Sequence, residues 1–505
     1  MSTAHKIFSN TAWQFLSKLL LSLLGLLVIK ITTHYLATNG GVALYGQYTA
    51  IYEYLAYFGI IADLGLYTIA VREMSRDENN IPKIIGNVLS LRLILITVTM
   101  AIAASLIFFI PQYNFHGSHI PIGVAIASIS VFLTILNGTI TSVLQTKYQM
   151  GRASIGVVIG KIATIAYMAF VIFYLYPDNI AKGFDHLIIA GVFGAVINLL
   201  QTHYYVRKIT PIKPRFDLDL WKRIIKESLP YGIALLLSTL YFRIDSVVIL
   251  FTRGQEELGL YAPAMKLLEQ MTILPLYFMN SILPILSKSV DNKDGKHREI
   301  INNSFTALAA MSVPMAIGGA ILAYPIVFVM TTPDFLSRLS EGFYGTDIAL
   351  KILIFAVLFQ FLNVLFAFIL IAVNQQKKLL YINAVCVCLN LGLNLIFVPT
   401  YGFPAAAVTS VLSELFILIA TFLVARKHLT FKISLINPIK IIFSALVMGA
   451  AIYLLQPITY NYLENWNVLL LIALGVIIYT IMIFATKTID KQTLKTLLKK
   501  PSGKT

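Results

Sequence analysis

The stretch LYFRIDSVVILF, residues 240–251, places an arginine and an aspartate inside an otherwise apolar run. Arg243 and Asp245 are two positions apart, so a helix would point them toward different neighbours. A charge near the middle of a bilayer costs about 2.5–3.5 kcal/mol on insertion scales, so these side chains have to face protein or water rather than lipid. The stretch therefore predicts a membrane helix that borders a hydrated interior.

The composition of the whole chain agrees with a helical membrane protein. Of the 505 residues, 58% are hydrophobic and only 12% are charged, whereas soluble domains carry about 25% charged residues. Apolar runs of about 20 residues predict transmembrane helices rather than strands. We place fourteen of them at residues 13–37, 42–71, 84–110, 120–144, 155–176, 186–206, 228–252, 258–286, 301–330, 347–373, 380–398, 403–424, 437–456 and 466–486.

Basic residues in the connections orient these helices. If the N-terminus is cytoplasmic, nearly all the Lys and Arg residues of the connections fall on the cytoplasmic side, and Lys182, Arg253 and Arg338 lie outside. This bias predicts a multi-pass protein with both termini in the cytoplasm. A basic face beside anionic lipid explains the net charge of +16 without a nucleic-acid partner. Cys386 and Cys388 lie on different sides of a predicted helix and indicate neither a disulfide framework nor a metal site.

A polar stretch near the middle divides the chain. Residues 211–227 are predicted to form a cytoplasmic amphipathic linker helix, with Trp221 on its apolar face. We expect a six-helix bundle on each side of it, at residues 1–210 and 228–430. Residues 431–505 then supply two additional transmembrane helices and a basic cytoplasmic tail.

An internal repeat supports this division. A shift of 213 positions superimposes Gly46 on Gly259 and Lys30 on Arg243. A second shift, of 226 positions, superimposes residues 136–152 on residues 362–378. Because both copies start on the same side of the membrane, we expect two parallel six-helix bundles related by an axis along the membrane normal.

The charges inside the predicted helices are the candidate functional residues. The deep basic residues are Lys30, Arg92, Arg243 and Lys266, and the acids that join them are Glu53, Asp63, Asp245, Glu269 and Glu414. A cavity lined by cations suits an anionic ligand such as a diphosphate, because Arg offers a planar fork to phosphate oxygens and Lys a movable point charge. A buried carboxylate can in turn bind and release a proton during each transport cycle.

An alternative interpretation is that these charges form buried ion pairs that only fix helix packing. Lys266 and Glu269, three positions apart, are predicted to pair within one helix. The sequence contains no nucleotide-binding G-x-x-x-x-G-K-[ST] motif, and it predicts neither a cofactor nor a metal.

Five segments of the chain resemble one family of membrane transporters. They are DLGLYTIAVREMSR at 63–76, LPYGIALLLSTLYFRIDSVVIL at 229–250, LGLYAPAMKLLE at 258–269, LPILSK at 283–288 and PTYGFPAAAVTSVLSE at 399–414. In order and spacing, over roughly residues 5–430, they resemble bacterial polysaccharide flippases of the multidrug/oligosaccharidyl-lipid/polysaccharide exporter superfamily.

The resemblance implies a fold, a function and partners. It implies an all-α protein with two six-helix bundles in a V, in the bacterial cytoplasmic membrane, that moves polyprenyl-diphosphate-linked oligosaccharides for cell-surface polysaccharide biosynthesis. Transport would proceed by alternating access as an antiport coupled to a proton or sodium ion, alongside other polysaccharide-assembly membrane proteins. In the similar lipid II flippases, cations of the first, second and eighth helices contact the diphosphate. Lys30 and Lys266 occupy comparable helix positions here, whereas the second span offers Glu53 and Asp63 instead of a cation.

Two other functions remain as alternatives. One is an ion-coupled multidrug exporter of the same superfamily, whose site would be dominated by acids and aromatic rings rather than by deep cations. The other is a membrane polysaccharide polymerase or glycosyltransferase. Such an enzyme needs an acid/base or metal-binding group on a sizeable outer loop. The predicted outer loops are short, and their His116 and His119 lack partner residues in the sequence, so we expect a transporter and not an enzyme.

Overall fold

A computed structural model describes residues 3–488 of the chain, and α-helices make up nearly all of this part. The sixteen helices are α1 Thr3–Asp63, α2 Leu66–Arg76, α3 Ile81–Leu106, α4 Ile120–Thr146, α5 Met150–Phe170, α6 Ile180–Val206, α7 Leu218–Arg253, α8 Gln255–Met271, α9 Ile273–Asn292, α10 His297–Ile321, α11 Ala323–Met330, α12 Thr346–Ala372, α13 Gln376–Tyr401, α14 Phe403–His428, α15 Ile436–Leu463 and α16 Asn467–Ala485. The rest of the predicted basic tail lies outside the described residues.

The predicted class of a helical, multi-pass membrane protein is confirmed. Twelve described stretches are long and apolar enough to cross a membrane. The stretch Leu16–Arg76 overlaps the first two predicted spans, and Ile436–Ala485 overlaps the last two. Each of the other ten overlaps one predicted span, and predicted span 301–330 extends past the end of α10 into α11. The total of fourteen crossings stays a prediction.

The first shift of the predicted repeat is visible in the backbone at two helix breaks. Gly41 bends α1 with φ 74° and ψ 172°. Gly254, 213 positions later, separates α7 from α8 with φ 87° and ψ −170°. Both residues have the positive φ that glycine adopts without steric cost. The same local chain path therefore recurs at equivalent positions of the two sequence copies.

The second shift is visible in two turns between helices. Tyr148 follows α4 with φ 54°, and Asn374 follows α12 with φ 59°. The next residue closes each turn in the same way: the Gln149 N–H donates to Leu144 O, and the Gln375 N–H donates to Leu370 O, both at 2.7 Å. The predicted repeat thus extends to the hydrogen bonds of these turns.

The amphipathic linker differs from the sequence-based prediction. Residues 211–217 are not helical, and α7 begins at Leu218 and continues without a break through Pro230 to Arg253. The predicted linker helix is therefore the first part of α7, which continues through Gly232 and ends only at Gly254, where φ is positive.

Polar contacts hold this first part of α7 against α3. The Trp221 Nε1–H donates to Asn87 Oδ1 at 3.2 Å, and Lys83 Nζ lies 2.9 Å from Asp217 Oδ2. The hydrogen bond from Lys83, followed by one from the Leu220 backbone, lowers the pKa of Asp217 below its usual value. The start of α7 is thereby joined to the N-terminal part of α3.

By its contacts, the described chain forms two compact units. The first unit comprises the described residues up to Ala262 together with 330–334 and 390–403; the second unit comprises the remaining described residues. The core of the first unit includes Leu66, Ile85 and Val143. In the second unit, Met448 of α15 packs with Leu471 of α16. The domain limits drawn from the sequence stay a prediction.

Candidate functional site

Arg243 of α7 contacts Glu53 of α1 inside the first unit. Arg243 Nη1 lies 2.5 Å from Glu53 Oε2, and the two side chains are 22% and 9% exposed. Such a short contact between a guanidinium and a carboxylate is a charge-assisted hydrogen bond. The Arg243 side chain is the more exposed of the two.

Asp245, two residues along α7, lies in a separate polar cluster. Its Oδ2 accepts a hydrogen bond from the Tyr261 hydroxyl at 3.0 Å. Its Oδ1 accepts one from Asn394 Nδ2 at 2.8 Å, and the same Nδ2 lies 3.0 Å from Asn390 Oδ1. All four residues are buried. Both carboxylate oxygens of Asp245 thus accept hydrogen bonds, and carboxylate and amide oxygens are the ligand types that hard cations prefer in proteins.

These two clusters confirm that Arg243 and Asp245 face different neighbours, as their spacing predicts. The acid partner of Arg243 comes from α1, whereas the partners of Asp245 come from α8 and α13. The sequence analysis did not identify Asn390 and Asn394. The sequence pattern that could have identified them is their four-residue spacing inside an apolar helix, which places both amides on one face.

Arg92 of α3 is deeply buried in the first unit. It forms an ion pair with Asp63, and its Nη1 donates to Thr139 Oγ1 at 2.8 Å and to Ile135 O at 3.4 Å. Its side chain is only 1% exposed, against 25% for Asp63. This pair joins α3 to the end of α1 and to α4, and its guanidinium is not accessible to a ligand.

Lys30 of α1 is half-buried, and its Nζ donates to the backbone carbonyl of Thr331. Thr331 is itself fully buried and belongs to the first unit. Lys30 lies on the segment of α1 that precedes the Gly41 bend.

Two glycines bring α1 against α8 in the first unit. A Cβ on Gly46 would lie 1.8 Å from Gln255 O, and a Cβ on Gly259 would lie 2.5 Å from Val42 O. No side chain fits at such distances, so both positions require glycine. The two repeat-related glycines thus pack directly on one another, and they fix the segment of α1 that carries Glu53.

Two further acids predicted as candidates lie in the second unit. Glu269 Oε2 lies 3.1 Å from Lys266 Nζ, and each side chain is 31% exposed, which confirms the predicted pair within one helix. Glu414 is buried, and its Oε2 accepts from Asn363 Nδ2 at 2.5 Å. Glu414 is therefore part of a buried contact between α14 and α12.

The structure thus sorts the predicted site residues by accessibility. Arg243 and Lys30 are partly accessible in the first unit, whereas Arg92 is enclosed. Glu53 and Asp63 each pair with a cation, and Asp245 accepts hydrogen bonds from a phenol hydroxyl and an amide. Ion pairs were one of the roles that the sequence left open for these charges, and the structure contains such pairs. Whether any of the residues binds a substrate or an ion stays a prediction.

The fold is that of a known superfamily of membrane transporters. The lipid II flippase MurJ, in an inward closed conformation, is similar over 94% of this chain and 98% of that chain, with 17% identity and a TM-score of 0.70. A multidrug resistance MATE family transporter of the MOP superfamily, in an inward-facing conformation, is similar over 83% of this chain and 97% of that chain, with 15% identity and a TM-score of 0.60. A MOP superfamily transporter from Pyrococcus furiosus is similar over 81% of this chain and 95% of that chain, with 16% identity and a TM-score of 0.56.

Sequence comparison narrows this class to a family. The model of the polysaccharide biosynthesis protein family matches residues 7–290, and the MatE model matches residues 230–396. The chain belongs to the polysaccharide biosynthesis protein family, with the fold of MOP superfamily transporters. No curated protein matches the sequence significantly.

Proposed function

We propose that this protein is a flippase that moves polyprenyl-diphosphate-linked oligosaccharide units across the bacterial cytoplasmic membrane, with both termini in the cytoplasm. Membership of the polysaccharide biosynthesis protein family and the fold shared with a lipid II flippase support this function. The observation that carries the proposal is the partly exposed side chain of Arg243 inside a membrane-spanning helix. A ligand-binding arginine requires such exposure.

Arg243 and Lys30 are the proposed diphosphate contacts in the first unit. Arg243 offers a planar fork of donors that matches phosphate oxygens, and Lys30 adds a mobile charge. The enclosed Arg92 has a structural role in this account, because its guanidinium is buried in the pair with Asp63. Lys266 keeps the diphosphate-binding role predicted from its helix position.

The Arg243–Glu53 pair gives a direct way to couple substrate to an ion. A diphosphate that binds Arg243 competes with Glu53 for the same guanidinium, which leaves Glu53 as a buried carboxylate without its counter-ion. A buried unpaired charge is strongly unfavourable, so Glu53 takes up a proton when the substrate binds. Release of the substrate on the far side restores the pair and expels the proton there, so this pair would move a proton in the same direction as the substrate. The antiport that the resemblance implies requires a separate ion site.

Asp245 is the proposed second coupling site. Its carboxylate and the Asn390 and Asn394 side chains present several oxygens in a buried cluster. A sodium ion or a proton bound there would neutralise Asp245. Glu269 and Glu414 remain proposed coupling groups of the second unit.

Export of small cationic compounds is the second candidate function. The match of the MatE model to residues 230–396 and the similarity to multidrug transporters favour it. A cationic substrate would bind the carboxylates directly, and Arg243 and Lys30 would repel it.

Reconstitution into vesicles tests the two candidates against each other. A fluorescent polyprenyl-diphosphate oligosaccharide is placed in the membrane, a proton or sodium gradient is imposed in either direction, and exposure of the glycan on the far side is measured. The proposal predicts protein-dependent, gradient-stimulated exposure of the glycan and no uptake of a cationic dye. Dye transport without glycan exposure would instead identify a multidrug exporter.

A further inference from the structure

The second unit contains a cavity whose lining includes none of the charged residues described above. It has a volume of about 560 Å³ and is formed by α10, α12, α14 and the segment after α14. Its lining is largely apolar and aromatic, and includes Phe305, Leu362, Phe366, Phe422 and Phe431. We call it the Phe366 pocket. Its size is typical of pockets that enclose most of a small ligand.

Four phenylalanines give this pocket a firm wall. The ring centroid of Phe366 lies 5.3 Å from that of Phe422, 6.2 Å from that of Phe431 and 6.4 Å from that of Phe305. These separations are within the range of favourable aromatic contacts. Phe366 and Phe431 are both buried, so the pocket is bounded by packed rings rather than by mobile surface side chains.

The segment after α14 is tied to the start of α10. The Ser434 N–H donates to Asn302 Oδ1 at 2.8 Å, and His297 Nε2 lies 3.2 Å from Thr430 O. These bonds fix residues 430–434, which include three residues that line the pocket. This side of the pocket is therefore held in place by hydrogen bonds.

Two cations line the opening. Arg426 at the end of α14 and Lys432 in the following segment are both exposed lining residues. Within residues 3–488, neither makes an ion pair with an acid. Close to them, Ile419 is 51% exposed and Leu435 67% exposed. The pocket thus combines an apolar interior, a lipid-accessible edge and a positive rim at the end of a membrane-spanning helix.

We propose that the Phe366 pocket binds a membrane phospholipid with an anionic headgroup. One acyl chain would enter along Ile419 and occupy the cavity, and the phosphate would lie between Arg426 and Lys432. Basic pockets between transmembrane helices recognise anionic lipid headgroups in this manner. The limited volume favours a single acyl chain over the much longer polyprenyl chain of the transported lipid. This site is independent of the proposed function.

Native mass spectrometry of the purified protein tests the proposal. The protein is titrated with phosphatidylglycerol, and the fraction of protein that retains lipid is compared with that for zwitterionic phosphatidylcholine of the same chains. The variant Arg426→Gln/Lys432→Gln removes the rim charges. The matched control, Lys427→Gln/Lys296→Gln, removes two exposed charges that do not line the pocket. All four side chains are exposed, so folding should be unaffected, and melting temperatures check this.

The proposal predicts that the rim variant binds phosphatidylglycerol roughly 30-fold more weakly than the native protein, and that the control binds it normally. Glycerol phosphate without chains, and short-chain phosphatidylglycerol, should fail to compete. Equal lipid retention by the rim variant and the control would overturn the proposal. Preferential displacement of phosphatidylglycerol by polyprenyl phosphate would also overturn it, because the pocket would then be a carrier-lipid site.

Discussion

Replacing Arg243 and Glu53 singly and together separates a structural ion pair from a ligand site. Arg243→Met leaves Glu53, only 9% exposed, as a buried carboxylate without its partner. Breaking a buried pair costs about 3–5 kcal/mol, and here we expect the low end, about 3 kcal/mol, because the Arg243 side chain is 22% exposed and the pair is partly screened by water. Glu53→Gln should be similarly destabilising, because it strands the cation.

The double variant Glu53→Gln/Arg243→Met should regain most of this stability. Replacing both members of a buried pair with side chains of similar size is often neutral, so we expect a value within about 1 kcal/mol of the native protein. Flipping should not recover. Loss of hydrogen bonds to a charged phosphate costs about 1.5–3 kcal/mol, which corresponds to roughly 10- to 150-fold slower transport.

Two assays on the native protein, the two single variants and the double variant separate a structural role of Arg243 from a ligand-binding role. Unfolding in mixed micelles with increasing SDS, followed by circular dichroism, gives the double-mutant cycle. Glycan exposure in vesicles, normalised to folded protein, gives the rate. A double variant that is restored in both stability and flipping would refute the ligand role and leave Arg243 as a packing residue.

Four shorter predictions follow from other contacts. Asp245→Asn should leave flipping detectable but remove its response to an ion gradient; a preserved response would exclude this carboxylate as a coupling group. Gly46→Ala should destabilise the fold by about 1–3 kcal/mol through overpacking, since its Cβ would lie 1.8 Å from a backbone oxygen of α8, whereas Gly25→Ala, with open space around it, should be neutral or stabilising in the same SDS titration. Arg92→Met should cost about 3–5 kcal/mol of stability and leave the rate per folded molecule unchanged, so a specific loss of rate would contradict its structural role. The lowered pKa of Asp217 should contribute stability above about pH 4 that is lost as the pH falls through the lowered value, so melting temperatures of native protein and Asp217→Asn should converge in acid.

The sequence predicted the parts of the fold that depend on local composition. Long apolar runs located the helices, because a membrane-spanning segment must satisfy its backbone hydrogen bonds internally. The superposition of Gly46 on Gly259 predicted the repeat, and both glycines are required where α1 and α8 meet. The separation of Arg243 from Asp245 followed from helix geometry alone.

Other features depend on contacts distant in sequence. The pairing of Arg92 with Asp63 joins residues on different helices, and no spacing rule indicates it. Asn394 reaches Asp245 across almost 150 positions, so the polar partners of that acid were not identifiable. The amphipathic start of α7 was recognised, but its continuity with the span was not, since Pro230 resembles a boundary although helices tolerate it in membranes.

The central claim is that an accessible cation within the membrane holds the diphosphate of the transported lipid. The most direct measurement compares flipping of the same oligosaccharide carried on a polyprenyl diphosphate and on a neutral polyprenyl anchor, in vesicles containing either native protein or Lys30→Ala/Arg243→Ala. The account predicts that native protein strongly prefers the diphosphate lipid and that the variant loses this preference. Equal rates for the two lipids with the native protein would contradict it.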